Sequence, residues 1–338
     1  MNLAGGRFLV VGGAGFIGSH VVDELLRRPV AEVVVYDSFA RGTLENLRDA
    51  EKDPRLTILS GEPDICDFDR LTDAMRKMDG VFNLAAIGIL ACEKDCDRAI
   101  RTNVWGNFNV FQAAGLAKVK RLVHSSSASV YGDAKKIPMD EDHSYENLTL
   151  YGATKISTEH ILRSCADGFG MNWVALRYFN VYGPRQDYKG AYISVLHRIL
   201  DRLYNGQPPI LFGDGGQTLD FVHVTDVARA NVLAMESATP MGFFNVCSGR
   251  GTTLKEVAKL LMDLTMVQIE PQYKQAHSGT ALVAKRIGDP TKAREALGFS
   301  AQVSLADGMR TLIDWRQDNE RQLQHLQTHD KVLSATAA

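Results

Sequence analysis

The sequence predicts an α/β fold: a doubly wound parallel sheet, with a smaller α/β lobe following it in the chain. Three observations carry that prediction. Nearly continuous β-branched runs of strand length recur along the first half, and stretches of helical period separate them. After about residue 178 the alternation gives way to turn-rich sequence. The strands read "RFLVV" (7–11), "EVVVY" (32–36), "LTIL" (56–59), "GVFNLAA" (80–86), "RLVHS" (121–125) and "WVALRY" (173–178). Apolar continuity of this kind suits strands covered on both faces. Between them, Ile17, Val21 and Leu25 share one helical face, as do Val104, Phe108, Phe111 and Ala114. Strands alternating with amphipathic helices point to parallel pairing.

Beyond residue 178 the turn signals multiply ("NVYGPRQ", "NGQPP", "FGDGGQT"), interrupted by helical stretches near 191–204, 225–236 and 253–264. Residues 1–178 are therefore read as the first domain, 179–325 as the second lobe and 326–338 as a frayed tail. Two strand-like runs, "DFVHV" (220–224) and "FFNVCS" (243–248), are expected to return to the first domain and complete it.

Composition narrows the function classes. The 338 residues are 45% apolar and 23% charged with a net charge of −2. That gives no electrostatic reason to expect nucleic acid or an anionic membrane as partner. No window approaches the ~18 consecutive apolar residues of a membrane span, and no signal peptide is visible at the start. The five cysteines, Cys66, Cys92, Cys96, Cys165 and Cys247, are odd in number and scattered. They read as reduced thiols of a cytoplasmic protein, and Cys92 with Cys96 lacks the second pair that a zinc site needs. No metal is expected.

Chemistry first shows itself in "LVVGGAGFIGSHVVDELL". Glycines at 12, 13, 15 and 18 follow a strand directly and open a helix. A turn without Cβ obstruction lets backbone N–H groups and a helix N-terminus face a pyrophosphate, which is the Rossmann dinucleotide arrangement. "VVVYD" then ends at Asp37, where a carboxylate would accept both hydroxyls of an adenosine ribose and repel a 2′-phosphate. NAD is favoured over NADP. Asp64, followed by Ile65 after the third strand, is a weaker candidate for the adenine end.

A second constellation lies downstream. "YGATK" puts Tyr151 and Lys155 four apart, on one face of a helix. A phenol with a pKa of ~10 is a poor base at neutral pH. A neighbouring ammonium, with the positive nicotinamide ring, favours the phenolate. The fifth strand ends in "HSSSAS", and ligands of open α/β sheets lie beyond the carboxyl ends of the strands. Ser125, Ser126 and Ser127 are thus expected to form a polar floor under a redox centre, with Ser127 on a substrate hydroxyl or carbonyl oxygen.

Taken together, "GGAGFIG", "NLAA" (83–86), "TNVWGNFNV" (102–110), "SSSASVYG", "YGATK", "RYFNVYGPRQ" and "DFVHVTDVARA" resemble the extended branch of the short-chain dehydrogenase/reductase superfamily, specifically the nucleotide-sugar epimerases. The resemblance runs from about residue 7 to 300. It implies a catalytic set of Ser127, Tyr151 as acid/base, and Lys155 holding the ribose and tuning Tyr151. It also implies cofactor contacts at Gly12, Gly15, Phe16, Ile17, Gly18, Asp37, Ser38, Asp64, Ile65, Leu84, Ala85, Ala86, Asn103, Ser125, Tyr151, Lys155 and Tyr178. Asn103 would support the active-site helix. A homodimer through helices starting near 103 and 152 is implied as well. For the substrate, a UDP-sugar, it implies Ser126, Ser127, Asn180, Arg185, and the segment containing Leu211, Phe212 and Gln217. The family places an arginine where this chain has Leu219, and Arg286, with Asp289 three residues on, is the best replacement.

The implied reaction is inversion of a sugar C4 through a transient ketone, with NAD regenerated in place and tightly retained. Dehydratase relatives carry an Asp–Glu pair after the catalytic threonine, and decarboxylases a glutamate before "VYG". Here those positions are Ala128 and Ser129, which cannot move a proton at carbon. A UDP-glucuronate-specific 4-epimerase and a net NAD-dependent nucleotide-sugar oxidoreductase or dehydratase of the same superfamily remain the alternatives. His20, His124 and His223 lie among apolar residues and read as core histidines.

Overall fold

The computed structural model describes residues 1–189, 193–275 and 284–336. In chain order the first domain runs β1 (Arg7–Val11), α1 (Phe16–Leu26), β2 (Glu32–Tyr36), β3 (Leu56–Ile58), α2 (Phe68–Met75), β4 (Gly80–Asn83), α3 (Ile89–Lys94), α4 (Cys96–Ile100), a π-helical turn (Arg101–Gly106), α5 (Asn107–Leu116), β5 (Arg121–Ser127), α6 (Leu150–Phe169) and β6 (Asn172–Tyr178). Then follow β7 (Asn180–Tyr182), α7 (Val195–Tyr204), β8 (Ile210–Phe212), β9 (Thr218–His223), α8 (Val224–Glu236), β10 (Met241–Val246), β11 (Gly251–Thr253), α9 (Leu254–Thr265), β12 (Gln272–Lys274), β13 (Lys285–Arg286), α10 (Thr291–Leu297) and α11 (Leu305–Thr336).

Seven strands form one sheet in the order β10-β6-β5-β4-β1-β2-β3, every pair parallel. The pleat splits each apolar run between two cores. Phe8 and Val10 face the layer of α1 and α8, whereas Leu9 and Val11 face that of α2, α5 and α6. Each such buried side chain contributes roughly 1.5–3 kcal/mol. The chain leaves β1 toward β2 on one side and returns to β4 on the other, so a crevice opens above the C-terminal ends of β1 and β4.

The second lobe has its own sheet of β7, β9, β11 and β13 and its own apolar core around Leu196, Leu200, Val257, Leu261 and Leu312. Two expectations change here. "FFNVCS" does return to the large sheet, as β10 along the edge of β6, but "DFVHV" does not. It forms β9 inside the small sheet, paired to β7, β11 and β13. An apolar strand records burial on both faces without recording which sheet supplies it. The segment read as a tail from residue 326 continues α11 to Thr336, because no Gly or Pro follows Gly308 to stop the helix.

Candidate active site

The crevice holds a cavity of about 600 Å³ between the two lobes. Its first wall is the glycine turn. Gly12 has φ +78°, and a Cβ there would stand 2.9 Å from the Ala85 nitrogen. A Cβ at Gly18 would overlap the Gly12 carbonyl oxygen. The turn is therefore packed flush against the end of β4 and cannot accept side chains. Gly15 caps α1 with extended backbone and no side-chain hydrogen bond, so the first-turn N–H groups stay available to an anion. Gly12, Gly15, Phe16, Ile17, Gly18, Leu84 and Ala86 all line the cavity. This bare cradle fits a dinucleotide pyrophosphate.

The floor comes from β5 and α6. Thr149 caps α6 by accepting from the Gly152 nitrogen (3.1 Å), which fixes the helix start and with it Tyr151 in the first turn. Lys155 follows one turn later, fully enclosed, and its Nζ donates to the Ser125 carbonyl at 2.7 Å. The ammonium lies 5.8 Å from the Tyr151 ring centre. Ser127 Oγ accepts from the Ser129 nitrogen (3.1 Å) and shares a hydrogen bond with the Tyr151 hydroxyl. Ser125, Ser126, Ser127, Tyr151, Lys155 and Tyr178 all line the cavity.

Electrostatics here differ from the expectation. Burial pushes the Tyr151 phenol up to about 12, and the Ser127 hydrogen bond only partly opposes it. Burial also pulls the Lys155 ammonium down to about 8, against support from Cys92 and Glu159. Desolvation disfavours both charged forms and outweighs the neighbours that favour them. Within the protein alone the phenol stays protonated, so its activation requires a further positive charge in the cavity, which is what an oxidised nicotinamide would supply.

Several predicted residues stand apart from the cavity. Asp37 accepts from the nitrogens of Ala14 and Phe39, both at 2.8 Å, so its carboxylate braces the glycine turn from behind. Burial raises its pKa despite those donors. Ser38 follows it in the same loop, and neither residue lines the cavity. Asp64 is exposed, accepting on its carbonyl from the Tyr36 hydroxyl (2.7 Å), and Ile65 is core beside α5. Ala85 touches the turn through its backbone. Asn103 is buried in the π-helical turn, where it accepts from the Ile87 nitrogen (2.7 Å) and donates to the Ile87 carbonyl (2.9 Å). It also reaches Thr154 on α6 at 3.3 Å, so it ties the loop after β4 to the helix that carries Tyr151.

From the second lobe, Asn180, Arg185 and Arg286 line the cavity, whereas Leu211, Phe212, Gln217 and Asp289 do not. Leu211 is core, Gln217 donates to the Phe212 carbonyl (2.9 Å), and Asp289 caps the start of α10 through the Thr291 nitrogen (2.9 Å). Ser126 lines the cavity, but its hydroxyl donates to Glu159 at 2.5 Å and is committed there. The pleat that aims Ser127 at Tyr151 turns Ser126 the other way. His20, His124 and His223 are buried and hydrogen-bonded, as their apolar surroundings suggested.

Sequence reasoning missed two features. Ile89, Leu90 and Ala91 give the cavity an apolar wall, and Arg41 and Arg198 add cations. Beneath the floor lies a buried ion pair: Arg177 on β6 meets Glu159 with Nε–Oε1 and Nη2–Oε2 both at 2.8 Å. The signal was available, since a lone arginine inside "WVALRY" demands a buried partner.

A model described as the NAD dependent epimerase/dehydratase family matches residues 8–247. The UDP-glucose 4-epimerase of Mycolicibacterium smegmatis is 35% identical over 313 residues, spanning 91% of this chain and 98% of that protein. Among solved structures, the UDP-glucose 4-epimerase of Thermotoga maritima, with UDP-glucose, superposes with a TM-score of 0.84 at 36% identity. It covers 93% of this chain and 99% of its own. The UDP-N-acetylglucosamine 4-epimerase of Methanobrevibacter ruminantium superposes at 0.87 and 30% identity, covering 94% and 99% respectively.

Proposed function

The chain belongs to the NAD dependent epimerase/dehydratase family, and from that premise we propose that it inverts C4 of a UDP-hexose or UDP-hexuronate through a transient 4-keto sugar. The observation that carries this reading is the company Tyr151 keeps. Ser127 and Lys155 attend it, and among the described residues the one carboxylate lining the cavity is Asp187, which pairs with Arg41 at 3.2 Å. Dehydration and decarboxylation need an acid or base placed for carbon, and none stands beside Tyr151.

In the proposed reaction Ser127 holds the oxygen at C4 and Tyr151 takes the hydroxyl proton, returning it to the opposite epimer. Lys155, anchored on the Ser125 carbonyl, keeps a positive charge within reach of the phenol. A bound NAD would supply the hydride acceptor and donor for C4, which would leave the cycle redox-neutral. The bare glycine turn and the uncapped start of α1 support its retention.

A homodimer belongs to the same proposal. Trp105 and Leu116 are 57% and 56% exposed, and they fall with Phe108 along one outward stripe of α5 and the turn before it. Phe169, from the end of α6, lies against Gly115 beside them. A cytoplasmic location is proposed from the five unpaired thiols.

The test is incubation of the purified protein with UDP-glucose, UDP-N-acetylglucosamine and UDP-glucuronate, resolving C4 epimers by NMR. Epimers should interconvert with no net absorbance change at 340 nm. Tyr151→Phe should lower the rate by about 10²- to 10⁴-fold with the melting curve unchanged. Stoichiometric NADH without an epimer, or near-normal turnover in Tyr151→Phe, would overturn the reading.

A further inference from the structure

Strand β5 runs beneath α6, and Leu122, His124 and Ser126 leave the face of the strand that the helix covers. Ser126 holds Glu159 through its hydroxyl. His124 makes the other polar link on that face. It is wholly buried, with its ring edge-on to Phe111 of α5 (centroids 5.1 Å apart, planes at 89°) and the small Ala175 beside it on β6. Nε2 lies 3.3 Å from the Thr158 hydroxyl on α6. Nδ1 lies 3.3 Å from Nδ2 of Asn83, the residue directly opposite on β4. The Thr158 hydroxyl donates in turn to the Lys155 carbonyl at 3.0 Å. A histidine outside the cavity thus stands two links from the backbone of Lys155.

Hydrogen-bond satisfaction fixes the tautomer. Asn107 donates through its amide nitrogen to the carbonyls of Thr102 and Asn103 (3.3 and 2.9 Å), so its oxygen faces Asn83. Asn83 must then present its own amide nitrogen, which donates to that oxygen at 2.7 Å and offers its second hydrogen to His124. The Asn83 oxygen is the group left over, buried without a partner. Nδ1 of His124 therefore accepts, and the ring proton sits on Nε2. The far end agrees. The one proton of the Thr158 hydroxyl goes to the Lys155 carbonyl, so that hydroxyl only accepts from the ring. Burial and the nearby Lys155 ammonium both keep the imidazole neutral. The donors all point one way, from Asn83 through the ring and Thr158 to the Lys155 carbonyl.

We propose that His124 is a positioning residue of the reaction: its Nε2–H tautomer seats α6 on β5, and so sets where Tyr151 and Lys155 meet the end of the strand. The role rests on the epimerase reading of the cavity. Adjacent residues of β5 anchor neighbouring points of α6. The Ser125 carbonyl takes Lys155 Nζ at 2.7 Å, while the His124 ring takes Thr158 three residues later. Tyr151 lies one turn before Lys155 and shares its hydrogen bond with Ser127. A helix moves as a unit, so a slip at Thr158 carries Tyr151 with it, and a misplacement of about 1 Å costs on the order of 10²-fold in rate. A phenyl ring would fill the space against Phe111 and make neither link. Packing alone does not call for histidine here.

The experiment measures kcat, KM and melting curves for wild type, His124→Phe, Thr158→Val, the double variant and His124→Gln. Each is supplied with NAD and whichever of UDP-glucose, UDP-N-acetylglucosamine and UDP-glucuronate the wild type epimerises. His124→Phe and Thr158→Val should each lower kcat about 10- to 100-fold while KM moves by less than about twofold. The double variant should be no slower than the slower single, because both break one link. His124→Gln should recover most of the rate, since its amide offers an oxygen to Asn83 and an N–H to Thr158. Nitrogen NMR of histidine-labelled wild type should show His124, identified by its loss in His124→Gln, as the Nε2–H tautomer. A folded His124→Phe with kcat within about twofold of wild type would make the ring core filling and overturn the proposal. Independent losses in the double variant, or an Nδ1–H tautomer, would overturn it too. If His124→Phe does not fold, Thr158→Val and the tautomer decide. Any of these failures in an active enzyme leaves the epimerase reading standing, whereas a wild type that epimerises none of the three sugars sinks that reading and this role together.

Discussion

Glu159→Gln isolates the buried pair beneath the serine floor. All five N–H groups of Arg177 are engaged: Nε and one Nη2 hydrogen on Glu159, the Nη1 pair on the Tyr131 hydroxyl (2.9 Å) and the Glu141 carbonyl (2.8 Å), and the last on the Tyr145 hydroxyl (2.7 Å). Glu159 in turn accepts from Ser126 and from Tyr145 (3.0 Å). Glutamine keeps the shape but strands the guanidinium charge. Removing one member of a buried pair costs about 3–5 kcal/mol, and at roughly 2–4 °C per kcal/mol the melting point falls by roughly 6–20 °C. Urea unfolding with an unchanged slope measures the free energy directly. Arg177→Met should cost a similar amount, and the double variant less than the sum, by about 1–3 kcal/mol of coupling. Turnover should fall as well, because Tyr151, Lys155 and Glu159 are spaced four apart along α6. Strictly additive losses, or a Glu159→Gln midpoint equal to wild type, would refute the account.

Lys155→Met should abolish turnover yet melt no lower than wild type at pH 7, since it removes a buried charge. The ammonium's pKa is depressed from 10.5 to about 8, so the folded chain binds fewer protons between those values; wild-type stability should rise with pH across that window, and the variant should lack the rise. Wild-type turnover should decline above pH ~8 as that charge is lost, and a flat alkaline limb would contradict the role. Trp105→Asp should halve the mass seen by light scattering while leaving the melting curve nearly intact, and an unchanged mass would remove the stripe of Trp105, Phe108 and Leu116 from the proposed interface.

Much of this architecture was legible because burial on two faces leaves a mark that water exposure does not. The strands at 7–11 and 32–36 match the observed β1 and β2. The glycine turn was legible for a stronger reason, since no other residue fits against Ala85 and Gly12 there. What stayed hidden depends on partners distant in sequence. Nothing in "TLDFVHV" tells which sheet will receive it, and the two-residue strand at Lys285–Arg286 is too short to carry a period. Ser126 and Ser127 are chemically alike, and only the pleat decides that one meets Glu159 and the other Tyr151. Asp37 stands at the end of β2, and its carboxylate accepts from the glycine turn at the Ala14 nitrogen and from the Phe39 nitrogen of its own loop.

The path of α8 and β10 has a wider consequence. The polypeptide leaves the small sheet through β9, lays α8 against α1, adds β10 to the rim of the large sheet, and crosses over again to β11. The lobes are thus stitched by repeated crossings instead of joined by a single hinge. A fragment ending at Tyr178 would lack both its rim strand and the cover over α1, so the half that carries the glycine turn borrows its completeness from sequence embedded within the half that carries the small sheet.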